Sequence, residues 1–106
     1  MFDTQENRYL TKGVSAKLPR EIQLRCWQWI DEKSKKVDSS LDYLQIFEFN
    51  PDNQRQSIEV VHRQEEPFFI NYYQVKMNQS IQSFDVAKLW VIDDGTNQTM
   101  LLPEEY

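Results

Sequence analysis

The stretch PREIQLRCWQWIDEKSKK, residues 19–36, decides the fold, because its apolar residues recur at the spacing of an α-helix. The residues at positions i, i+4, i+7 and i+8 of this stretch fall on one helix face and are Ile22, Cys26, Trp29 and Ile30. Pro19 suits a first helical turn, where its missing N–H is no loss, and the lysines near residue 36 complement the helix dipole. We therefore predict one main helix over residues 19–36.

The rest of the chain favours β-strands, which are separated by turn residues. Segments rich in β-branched and aromatic residues predict strands at 8–14, 41–49, 57–64, 68–75, 88–92 and 99–102, with Gly13 marking an end or a bulge. A turn at 50–53 and the Asp94-Gly95 pair each predict a hairpin, and residues 37–40 and 76–85 are expected to be irregular. The predicted fold class is α+β, with the helix packed on a mainly antiparallel, strongly twisted sheet of about five to six strands.

Length and composition indicate one globular domain over residues 1–106, because 106 residues can bury one core and 40% of them are hydrophobic. The start of the chain has no basic and apolar leader, and no segment approaches the length of a membrane span, so we expect a cytoplasmic protein that binds no membrane. The net charge of −5, without a basic stripe, disfavours direct binding of nucleic acid.

Residues that could carry catalysis are few and scattered in the sequence. His62 is the single histidine and lies in a predicted strand, and Cys26 is the single cysteine and lies on the apolar helix face, as a buried thiol would. Asp93 and Asp94 are explained by the hairpin turn, and solvated charge is ordinary for Glu65-Glu66 at a strand end. We predict no catalytic residue, no cofactor and no metal site, and therefore a protein that is not an enzyme.

The predicted strands carry more apolar surface than one helix can cover. Leu44 and Ile46 point to one side of their strand, and the aromatic residues around them point to the other. Either residues 76–87 and 101–106 fold over the second face, or part of that face stays exposed as a site for a partner. The predicted interaction surface consists of Tyr43, Phe47, Phe49, Tyr72 and Tyr73.

Three functional hypotheses remain open from the residues alone. The first is a non-enzymatic module that binds another protein, or a second copy in a homodimer, through this surface. The second is a small-molecule-binding protein or minor enzyme with a pocket under residues 76–87, lined by Tyr72, Tyr73 and Trp90. The third is an acidic mimic of nucleic acid, for which the net charge of −5 is modest.

Several segments spread over the chain resemble a known family. They are MFD at residues 1–3, NRY at 7–9, KGV at 12–14, DYLQIFE at 42–48, VIDDG at 91–95 and TMLLPEEY at 99–106. The resemblance is to short proteins of unknown function from Gram-positive bacteria and their phages and mobile elements. It implies an intact single domain in a bacterial or phage setting, and a regulator or inhibitor carried by a mobile element fits that setting. It supplies no activity and no site residues.

Overall fold

The computed structural model describes residues 1–36 and 40–106. Its strands are β1 (Asn7–Leu10), β2 (Leu44–Asp52), β3 (Ser57–Gln64), β4 (Phe69–Lys76), β5 (Lys88–Asp93) and β6 (Asn97–Leu101). Its helices are α1 (Lys12–Lys17) and α2 (Arg20–Ser34), and a 3-10 turn at Pro103–Glu105 follows β6. Most of the predicted polar connection at 37–40 lies outside the described residues.

The strands form one open sheet in the order β1-β6-β5-β2-β3-β4, so β1 and β4 are its edges. All neighbouring pairs are antiparallel except β1 with β6, which is parallel. Helix α2 packs on one face of this sheet, which confirms the predicted α+β class with one main helix. No helix of the described chain combines the length and the apolar composition that a bilayer crossing requires.

Helix α2 buries the predicted apolar face, which comprises Ile22, Cys26, Trp29 and Ile30. The Trp29 ring stacks on Tyr73 of β4 at a centroid distance of 4.1 Å and on Phe47 of β2 at 6.3 Å. Burial raises the pKa of the Cys26 thiol, as expected for a structural cysteine. The helix is thereby fixed over the middle and one edge of the sheet.

Arg8 holds the other side of α2 to the sheet. Its guanidinium makes two hydrogen bonds to the Asp31 carboxylate and lies 4.5 Å from the centre of the Trp27 ring. Its Nε donates to Gln98 on β6 at 2.8 Å. One arginine therefore ties both β1 and β6 to the helix, in the bidentate and stacked geometry that arginine favours.

The prediction of a strand over residues 8–14 was wrong beyond Leu10. The Thr11 hydroxyl accepts a hydrogen bond from the Val14 N–H and so caps α1. The Glu105 carboxylate accepts from the Thr11 hydroxyl at 2.6 Å and from the Gly13 N–H at 3.2 Å, and these bonds help to lower its pKa. A Cβ on Gly13 would lie 2.6 Å from this carboxylate, so the glycine serves close packing rather than a strand end.

Residues 77–87 have no regular structure between β4 and β5, but they do not cover the second face of the sheet. Met77, Ile81 and Val86 are buried in the same core as α2, and Phe84 packs edge-on against Phe49 at 5.8 Å. The expectation that this segment shields the second face was therefore wrong, because its apolar residues are used on the helix side.

Both predicted hairpins are present, with one turn displaced. Strand β2 continues to Asp52, and the turn to β3 follows it and ends on Gln56 at φ 53°. Gly95 has φ 94° between β5 and β6, as the Asp-Gly signal predicted. The Asp94 carboxylate accepts from the backbone N–H groups of Asn97 and Thr96, which lowers its pKa. Asp93 accepts from the Gly95 N–H in the same turn, but it is buried and also accepts from the Phe2 N–H, so turn chemistry explains only part of its role.

Replacing Trp29 by alanine should lower the free energy of unfolding by about 3 to 5 kcal/mol, because it removes a ring buried against two aromatic residues. Urea denaturation followed by circular dichroism measures the change. Leu24→Ala is the matched control, since Leu24 lies on the same helix with 51% of its surface exposed, and it should change stability little. Equal effects of the two substitutions would contradict the assigned helix face.

Candidate interaction surface

The face of the sheet opposite α2 carries no helix in the described part of the chain. Side chains alternate between the two faces along a strand, so Ile46 and Glu48 point away from α2 when Phe47 points toward it. Residues directly paired across the strands share a face, which extends the assignment to the whole sheet. We call this side the open face, and its apolar and aromatic residues are Tyr9, Leu44, Ile46, Val61, Ile70, Tyr72, Trp90, Ile92 and Leu101.

The apolar residues of the open face form a continuous band across several strands. Ile46 on β2 is paired with Trp90 on β5, and Trp90 is paired with Leu101 on β6. Leu44 and Ile92 form the neighbouring row of the same band. The paired residues further along β2 and β3 are polar, so the band has a defined border.

This band is only partly accessible to solvent. Trp90, Ile92 and Leu44 are half-buried, whereas Ile46 and Leu101 are buried. Tyr72, which is 63% exposed, and Ile70, which is 37% exposed, lie on the same face beyond Val61 and Arg63 of β3. The Tyr106 ring approaches Trp90 edge-on at 5.6 Å but is itself 81% exposed, so it covers only a corner of the band. Partly exposed aromatic and aliphatic side chains on a sheet face without a covering helix are a feature of binding surfaces.

Three charged residues lie in the middle of the open face. The Glu48 carboxylate is 3.7 Å from Arg63 Nε and 3.8 Å from Lys88 Nζ. Partly exposed pairs of this length contribute little to stability, so their main effect is on the surface potential. Glu59 lies on the same face, where it is paired with Asn50 and Gln74, so the open face carries charges of both signs.

Three of the five residues predicted for the interaction surface lie on the helix side instead. Phe47 is fully buried and Phe49 is 4% exposed, beneath α2 and residues 76–87. Tyr73 is stacked on Trp29. Their predicted placement on the second face was wrong, because α2 packs on the odd-numbered positions of β2 and β4 and leaves the even-numbered ones open.

The other two predicted residues are exposed but separate. Tyr72 lies on the open face, and Tyr43, which is 49% exposed, precedes β2. The structure therefore does not bring the five predicted residues together. Trp90, Ile92 and Leu44 were missed, although Trp90 and Ile92 share a face by simple alternation along β5.

A buried polar chain lies on the helix side of the sheet. The Gln45 side-chain amide donates to Gln64 Oε1 at 2.8 Å and to the Asp42 carbonyl at 2.9 Å. Its Oε1 is therefore the acceptor for His62 Nε2 at 2.7 Å, and His62 carries its proton on Nε2. Gln64 in turn donates to the backbone carbonyls of Ser40 and Pro67.

His62 is enclosed by aromatic rings and does not reach solvent. Its ring stacks on Phe47 at 4.4 Å and meets Phe69 edge-on at 5.2 Å. Burial, assisted by the nearby positive charge of Lys33, lowers the pKa of His62 to about 3. Its Nδ1 has no hydrogen-bond partner among the described residues. A neutral, enclosed imidazole of this kind supports packing and cannot act as a base toward a substrate.

The residues predicted to line a ligand pocket do not meet. Tyr72 and Tyr73 are consecutive in β4 and so lie on opposite faces, and Trp90 is on the open face. A pocket of about 230 Å³ beside residues 77–87 is lined by other residues, among them Pro19 and Met77. Within residues 1–36 and 40–106, no three His, Cys, Asp or Glu side chains lie close enough to hold a metal ion.

The pKa of His62 predicts acid sensitivity of the fold. The folded-state pKa of about 3 lies below the ordinary value of 6.5, so the unfolded chain binds the proton more readily between these two values. The stability that the neutral His62 contributes is fully present above about pH 6.5 and is lost as the pH falls toward 3. Relative to a His62→Gln variant, the wild-type free energy of unfolding should fall by up to about 1.4 kcal/mol per pH unit between about pH 6 and pH 4.

Urea denaturation at a series of pH values measures this difference. The carboxylates are common to both proteins, so subtracting the variant curve isolates the histidine. Parallel stability curves for the two proteins would contradict the burial of a neutral His62.

Comparison with known proteins identifies the chain's relatives. A family model described as a Staphylococcal protein of unknown function, DUF960, matches residues 7–105. The crystal structure of a protein of unknown function from Enterococcus faecalis superposes with a TM-score of 0.83 and 28% sequence identity, covering 99% of this chain and 94% of that one. Both sources are Gram-positive bacteria, as the resemblance implied. A comparison with curated protein sequences finds no match.

Proposed function

The chain belongs to the DUF960 family, and we propose that it is a non-enzymatic module that binds another protein through the open face of its sheet. The observation that supports this is the open face, which α2 leaves uncovered and on which Trp90 and Ile92 are half-buried beside the buried Ile46. Its helix side, in contrast, is filled by a packed core and a fully buried histidine.

The composition of the band suits protein recognition. Trp90 offers a large, rigid contact area that loses little conformational entropy on binding. Arg63 and Lys88 lie beside the band with only one carboxylate, Glu48, between them. A complementary partner surface has apolar side chains at its centre and an acidic group positioned to meet these cations.

Binding of this kind fits a regulator or inhibitor, which acts by occupying a surface of its target. A regulator carried by a phage or mobile element would act in this way, and that setting remains a prediction. The rival hypothesis of a small-molecule-binding protein requires a ligand that raises the melting temperature, which a thermal-shift screen of cellular metabolites measures.

The proposal is tested by placing a charge in the band. In Trp90→Lys, a desolvated lysine would oppose burial against a partner, so recovery of a stoichiometric protein from a lysate of the source bacterium should fall at least tenfold. Leu24→Lys is the matched control, because it places the same charge on the outer surface of α2, where Leu24 is 51% exposed.

The control should retain the partner at the wild-type level, and circular dichroism should show both variants folded. Recovery of the same partner by wild type, Trp90→Lys and Leu24→Lys alike would contradict binding through the open face. Loss of recovery in both variants would also contradict it, because the two substitutions lie on opposite sides of the molecule.

A further inference from the structure

The two edges of the sheet differ in how they are protected. Strand β1 is four residues long and carries Arg8, whereas β4 is eight residues long. Natural sheets block long edges with proline, internal charges or bulges, since free N–H and C=O groups attract further strands. Strand β4 reads FINYYQVK, without proline and with its single charge on the last residue, Lys76. Its register with β3 runs without a bulge from Phe69 to Lys76.

Apolar side chains surround this unprotected edge. Phe68 is 68% exposed just before β4, and Tyr72 and Ile70 on the open face are 63% and 37% exposed. Among the strands of residues 1–36 and 40–106, β4 is paired only with β3. An added strand would complete its backbone hydrogen bonds and also cover these side chains, which is the usual mode of β-strand addition.

We infer that the β4 edge is the interface of a homodimer, in which β4 pairs antiparallel with β4 of a second copy and the two sheets become continuous. Residues paired across two strands lie on the same face of the sheet. The two-fold axis therefore lies between the two copies of one residue, because any other position would pair neighbouring residues, whose side chains point to opposite faces. With Tyr72 on the axis, each Tyr72 faces its counterpart, and Ile70 faces Gln74 of the second copy. Two tyrosines paired across strands form a favourable aromatic contact.

Charge selects a second copy as the occupant of this edge. In the register centred on Tyr72, Lys76 at one end of the strand falls opposite Phe68 of the second copy, beside the turn that carries Glu65 and Glu66. Each end of the paired strands therefore brings a lysine toward a pair of carboxylates. No like charges are opposed along the strand, although each chain has a net charge of −5.

The mass of the purified protein tests the inference without any other partner. Light scattering at increasing protein concentration should give twice the chain mass of 12.8 kDa. Tyr72→Lys places two lysines against each other on the two-fold axis and should yield a folded monomer. Tyr9→Lys, a substitution of a 52% exposed tyrosine on the β1 edge, should remain dimeric.

A cysteine at position 72, on the two-fold axis, tests the register in which the two β4 strands pair. This variant also tests the dimer if Tyr72→Lys does not fold. Opposed residues on antiparallel strands have Cα atoms about 4.5 to 5.5 Å apart, within the range for a disulfide. Under mild oxidation Tyr72→Cys should give a covalent dimer, whereas Tyr9→Cys should stay uncrosslinked, and Cys26 is buried in both.

A wild-type protein that is monomeric at all concentrations overturns the inference. So does a dimer that persists in Tyr72→Lys, or crosslinking that is equal at the two cysteine positions. These outcomes are separate from the proposed function, because Trp90→Lys should leave the dimer intact while it abolishes capture of a partner.

Discussion

The stacking of Trp29 on Phe47 and Tyr73 is the contact on which the rest of the structure depends. One helix can cover only one face of a sheet, and this contact determines which face it is. The cross-strand register then carries that choice from β2 and β4 to the other strands, since paired residues share a face. Which residues are core and which are surface follows from one aromatic cluster.

The position of α2 also places the buried polar side chains and the partly exposed apolar side chains on opposite faces of the sheet. His62 and Gln45 lie beneath the helix, where their hydrogen bonds to each other and to the backbone hold residues preceding β2 against β3. Trp90 and Ile92 lie on the other side, where no segment of the described chain covers them fully. His62 is therefore a buried structural residue, whereas the open face stays only partly covered.

The helix and most strands could be predicted from the sequence, but the face of the sheet that the helix covers could not. Helical spacing predicted the buried residues of α2, and the Asp-Gly signal predicted the β5–β6 hairpin, because both depend on local geometry. Strand β2 is apolar at both Ile46 and Phe47, so alternation alone could not say which residue meets the helix. The end of β1 also escaped prediction, because the α1 cap at Thr11 is completed by Glu105, 94 residues away.

The accessibility of two neighbouring thiols tests the central claim, that α2 covers one face and leaves the other open, most directly. In separate Ile92→Cys and Val91→Cys variants, the rate of reaction with a thiol reagent in the folded state is measured at equal protein stability. Ile92→Cys should be labelled rapidly and Val91→Cys should be protected, because Val91 is fully buried and Ile92 is not. Faster labelling of Val91→Cys would show that the helix covers the opposite face.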